Sequence, residues 1–67
     1  MKKHSVIIAN RHETSITLED EFWTELLSIA KQKNLSINQL VTKIDSEKNI
    51  QNLSSAIRVY ILKHLKS

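Results

Sequence analysis

Sixty-seven residues with a net charge of +3, no Cys, no Gly and no Pro exclude several functional classes. Without Cys there is neither a disulfide nor a thiolate metal site, which fits a reducing compartment, and without Gly there is no phosphate-cradling loop of the dinucleotide or P-loop kind. No apolar stretch approaches the roughly 20 residues of a membrane span, and the apolar run after Lys2 and Lys3 is too short for a signal-peptide core, so a soluble, cytoplasmic protein is expected.

A chain this short forms a single domain, 1–67, and buries only about 60% of the surface it exposes when unfolded. With no disulfide or metal to add stability, assembly is the remaining means. Basic residues sit toward the two ends, Lys2, Lys3 and Arg11 at one and Arg58, Lys63 and Lys66 at the other, while Glu19, Asp20, Glu21 and Glu25 crowd the middle. A polyanion partner is compatible with this distribution but not required by it.

The first β-branched segment is 5–9, and a second, 13–18, alternates apolar and polar side chains and runs directly into an acidic helix start. Ile16 and Leu18 fall on one face of that second segment and Ser15 and Thr17 on the other. A lone strand cannot satisfy its own backbone, so 13–18 must pair with the N-terminal segment or with a second copy of the chain. No convincing strand follows, and the pattern points to a dimer. Val6, Ile8, Thr14, Ile16 and Leu18 share parity. One continuous extended segment keeps them on one face, and so does a hairpin looped at 10–12 that pairs Ile8 with Thr14 and Val6 with Ile16. Parity does not separate the two; a hairpin gives a dimer four strands, whereas an arm leaves Lys2, Lys3 and His4 free to lie along a nucleic-acid backbone.

Three helices follow. Phe22, Leu26, Ile29 and Ala30 recur at helical spacing over about 20–33, with acids at the start and Lys31 and Lys33 at the end, matching the helix dipole. Asn34 suits a left-handed helix end, with Leu35 folding back on the last turn. Ser36 and Gln39 read as a capping box for a second helix over about 37–47, carrying Leu40, Val41 and Ile44. Asn52 is a good N-cap for a third, over about 53–66, carrying Ala56, Ile57, Tyr60 and Ile61.

Several residues invite functional readings that simpler ones displace. Trp23 beside Phe22 is expected to pack in the core or a dimer interface rather than stand exposed. His4, His12 and His64 lack ligand spacing and are expected at the surface. Asp45 and Glu47 do not share a helix face, which argues against paired-carboxylate catalysis. Arg58 is expected to pair with an acid of the first or second helix, and Ser54 and Ser55 read as the polar first turn of the third.

Thr14-Ser15-Ile16-Thr17-Leu18-Glu19, Glu21-Phe22-Trp23, Leu35-Ser36-Ile37-Asn38 and Asn52-Leu53-Ser54-Ser55-Ala56, in this order and with Asn10 ahead of them, resemble the ribbon-helix-helix family of small DNA-binding proteins, specifically a bacterial subfamily with an added C-terminal helix. The resemblance implies a mainly α fold with a short N-terminal β-ribbon, an intertwined homodimer and a third C-terminal helix. It implies a dimer core of Ile16, Leu18, Phe22, Leu26, Leu40, Val41 and Ile44, and a ribbon that enters a DNA major groove. Carried over by position, Arg11, Glu13, Ser15 and Thr17 face the bases. Ser36, Ile37 and Asn38 offer backbone N–H groups to a phosphate, with Lys2 and Lys3 assisting from the N-terminal arm. Glu13 departs from the subfamily's usual basic or neutral residue.

The expected function is sequence-specific DNA binding by a small bacterial transcriptional regulator or repressor, with no enzymatic activity and no cofactor or metal. The alternative is a dimeric protein-interaction module of the same fold, taking a protein partner on the third helix or the Trp23 surface.

Overall fold

The computed structural model describes residues 2–9, 12–47 and 51–66. Five elements follow one another: β1 (Lys2–Ile8), β2 (His12–Leu18), α1 (Asp20–Gln32), α2 (Ile37–Glu47) and α3 (Leu53–Lys66). The N-terminal segment is therefore a strand, not an arm, and β1 and β2 form a two-stranded antiparallel sheet within one chain.

The pairing runs from Lys2 opposite Leu18 to Ile8 opposite His12. This corrects the expected register by two residues. Val6 faces Thr14 rather than Ile16, and Ile8 faces His12, which belongs to β2 and not to the loop. A shift of two preserves parity, so the inward set is unchanged: Val6, Ile16 and Leu18 are buried, with Ile8 half-buried beside them. The connection leaves β1 through Ala9 at φ 55, a left-handed position filled without glycine.

The helices begin and end as their capping residues dictate. Trp23 N–H donates to the Glu19 carbonyl (3.0 Å) to open α1, and Asp20 and Glu21 place negative charge at the positive end of its dipole. At the other end Asn34 adopts φ 57. Its N–H reaches the Lys31 carbonyl (3.1 Å), and that of Leu35 reaches Ala30 (2.9 Å), which is the paired closure of a Schellman motif. In α2 the capping box is complete: Gln39 N–H donates to Ser36 Oγ (3.1 Å) and Ser36 N–H to Gln39 Oε1 (2.8 Å). Ser55 N–H donates to Asn52 Oδ1 (3.1 Å), which caps α3.

One apolar cluster unites all five elements. Leu26, Ile29 and Ala30 of α1, Leu40, Val41 and Ile44 of α2, and Ala56, Ile57 and Ile61 of α3 close over the underside of the hairpin. The residues expected in a dimer core lie in or against this cluster. Ile16, Leu18, Leu26, Leu40, Val41 and Ile44 are buried within a single chain, and Phe22 is half-buried against them. Within the chain, β1 and α3 contribute apolar cover to these residues.

Candidate nucleic-acid interface

The sheet turns its even-numbered side chains toward the helices, burying Val6, Ile16 and Leu18, and presents the odd ones outward. Across the register the outward rows are Lys3 with Thr17, Ser5 with Ser15, and Ile7 with Glu13. Lys3, Ser5, Glu13 and Ser15 are exposed, Thr17 is half-buried, and Ile7 retains 41% of its surface. Three hydroxyls thus lie on one strip with a lysine at one end and an isoleucine–glutamate pair at the other. Hydroxyls both donate and accept at base edges, and a threonine methyl can meet a thymine methyl.

Of the expected base-facing residues, the structure brings Glu13, Ser15 and Thr17 together on this strip, and Arg11 lies outside the described residues. Lys2 and Lys3 are not on an arm: they sit in β1, opposite Leu18 and Thr17, because the strand pairs in full to its first described residue. Lys3 therefore joins the outward strip, as does Ser5, which sequence reasoning passed over. The signal for Ser5 was its parity with Ser15, usable only once the register is known.

Of the expected phosphate clamp, Ser36 and Asn38 line an open cleft of about 390 Å³ together with Ala9, Gln39 and Thr42, and Ile37 lies outside that lining. Ser36 N–H is already committed to Gln39, so it is not available to an anion. The N–H groups of Ile37 and Asn38 have no acceptor among the described residues and project from the positive end of α2. The Asn38 side chain faces the sheet instead: its Oδ1 accepts from Ile7 N–H (3.0 Å), and Thr42 Oγ1 accepts from Ala9 N–H (3.0 Å). These two bonds fix the cleft against the outer edge of β1.

The opposite edge of the sheet is held by α3. Thr17 N–H donates to Ser54 Oγ (3.1 Å), and Arg58 Nη2 donates to the Thr17 carbonyl (3.1 Å). Arg58 Nε also meets Glu19 Oε1 at 3.0 Å, with the two side chains 27% and 44% exposed. Arg58 thus has the carboxylate partner expected of it, although the acid precedes α1 rather than lying in it. A bond from its own backbone N–H, then the hydrogen bond and charge of Arg58, hold the Glu19 carboxyl below its ordinary range.

Under the sheet, His4 stacks on Trp23 with ring centroids 3.8 Å apart and planes 6° from parallel. This corrects the surface assignment of His4, whose Nε2 is buried with no hydrogen-bond partner among the described residues; His64 is likewise half-buried, while His12 is exposed. Trp23 is half-buried and packs against the core as expected. No helix among the described residues is long and apolar enough to cross a membrane.

Comparison with protein families matches residues 1–65 to the ribbon-helix-helix domain, a fold of DNA-binding transcription regulators rather than enzymes. Searches of curated proteins and of solved structures find no match. The match extends from β1 through the capped α2 into the last turn of α3, and the chain belongs to the ribbon-helix-helix domain family.

Proposed function

We propose that this chain is a bacterial, cytoplasmic repressor that binds double-stranded DNA sequence-specifically as a homodimer. The observation that carries the reading is the outward strip of Ser5, Ser15 and Thr17 beside Lys3, on the ribbon of a chain whose family binds DNA. In this reading the hydroxyls meet base edges in the major groove and Lys3 approaches the flanking backbone. The free N–H groups of Ile37 and Asn38 receive a phosphate at the cleft beside the hairpin.

The test is fluorescence polarisation of labelled mixed genomic duplex across 50 to 200 mM salt, a range over which phosphate contacts weaken binding steeply. Lys3→Ala is expected to weaken binding to all sequences alike and to lower the log–log salt slope by about 2, one phosphate contact being lost from each copy. Ser15→Ala with Thr17→Val is expected to leave that slope unchanged while flattening the preference among sequences. Absence of any binding at the lowest salt would defeat the reading. The second reading, a partner protein on α3, is favoured by exposed Val59, Leu62 and Leu65, which recur every third residue away from the core.

A further inference from the structure

We infer that the first two turns of α3, through Ser54 and Arg58, guard the outer edge of β2 and compete with a second copy of this chain for the peptide group of Thr17. The inference rests on the homodimeric reading and specifies how the two copies meet.

Peptide groups along a strand point alternately to its two sides. Because both the N–H and the C=O of Thr17 are engaged by α3, the odd-numbered residues of β2 aim theirs away from β1. Those of Glu13 and Ser15 therefore line the outer edge, where no described residue accepts or donates to them. A contiguous open edge of this kind is a template for another strand.

Among symmetric antiparallel pairings along β2, charge favours the one centred on Ser15. It opposes Ser15 to Ser15 of the second copy and Glu13 to Thr17 of the second copy. Since Lys3 lies across from Thr17 within each chain, Glu13 of one copy then shares an outward row with Lys3 of the other. The two backbones are two strand spacings apart, roughly 10 Å, a gap that a glutamate and a lysine can span from both sides. The outer edge of β1 is the less open of the two, since Asn38 closes it at Ile7 and Thr42 at Ala9. The complementarity gives Glu13 a role that base reading does not: it matches the lysine of the second copy.

The Ser15-centred pairing needs the N–H and C=O of Thr17 in both copies, and these are the groups that Ser54 and Arg58 hold. The guard must release for the four-stranded sheet to form, so each chain is biased toward the closed edge and association is correspondingly weak.

Sedimentation velocity on the full chain tests this, with amide hydrogen exchange at Thr17 as a second readout. Ser54→Ala removes one guard bond per copy, and self-association is expected to tighten by roughly tenfold or more, since two bonds are released per dimer. Thr17 exchange in that variant should be fast when dilute and slow again when concentrated, whereas in the parent chain it stays slow throughout. Glu13→Lys, with the guard intact, should weaken association about tenfold by setting like charges in one row. A folded Ser54→Ala variant whose association is unchanged or weaker overturns the guard, and so does a parent chain and variant that both stay monomeric at millimolar concentration. Should Ser54→Ala not fold, Glu13→Lys decides, and unchanged association overturns the proposal. DNA binding is measured on separate samples, so loss of the DNA reading and loss of the guard remain distinguishable.

Discussion

Replacing Ile57 by alanine tests whether α3 is part of the core or an appendage to it. Ile57 and Ile61 are both 0% exposed, so the change deletes buried aliphatic groups where neighbours on α1, α2 and β2 already pack. Truncations of this kind remove about 2–5 kcal/mol, against a total of about 3–10 kcal/mol for a domain of this size. A loss of about 3 kcal/mol would lower the melting temperature by roughly 12–24 °C and move the urea midpoint down by about 3 M if the slope is near 1 kcal/mol per molar. Leu62, 46% exposed on the far side of the same helix, is the control, and Leu62→Ala should shift stability by less than about 0.5 kcal/mol. Trp23 is the chain's single tryptophan, so its fluorescence follows unfolding alongside circular dichroism. Repeating the titration at two widely separated protein concentrations separates packing within the chain from association between copies. An Ile57→Ala variant indistinguishable from Leu62→Ala would refute the placement of α3 in the core.

Acidification should loosen the α3 contact with β2 through Glu19. Because the folded state holds its carboxyl below the ordinary 4.5, the stabilisation it contributes is present above that value and is lost as pH falls from there through the lower folded value. Melting curves from pH 6 to 3 should show this as a slope that Glu19→Gln reduces, and an identical slope in the variant would contradict it. Ser36→Ala should cost about 1 kcal/mol by removing the acceptor for Gln39 N–H. In a double-mutant cycle with Gln39→Ala the two losses should fall short of additive, since each residue satisfies the other's backbone; strict additivity would mean the box is not a coupled unit.

The helices were legible because their ends are written in local chemistry. Ser36 with Gln39, Asn52, and Asn34 with Leu35 each determine a terminus through bonds spanning a few residues, and each forms as read. The hairpin was legible only to its parity: any even shift preserves the buried face, and the turn carries no Gly or Pro to mark its position. What covers the apolar faces was not legible. Periodicity identified Leu26, Leu40 and Ile44 as buried without saying whether β1 and α3 of the same chain, or a second chain, would bury them. The contacts that lock the sheet edges, Asn38 with Ile7, Thr42 with Ala9 and Ser54 with Thr17, join residues more than thirty positions apart. Nothing local distinguishes these polar side chains from others on the helices. On the candidate interface, the positions of Ser15 and Thr17 followed from alternation, whereas the placement of Lys3 and Ser5 beside them required the register.

Ala9 bears on the order in which this molecule assembles. A left-handed alanine is disfavoured by roughly 1–2 kcal/mol, and the bond that steadies this one comes from Thr42, on α2. The exit from β1 at Ala9 is therefore tied to a helix that must already be formed and docked, at the entropic expense of a long loop. Folding should proceed from the helices to the sheet, with the strip of Ser5, Ser15 and Thr17 among the last surfaces to appear during folding and the first to be lost in local opening.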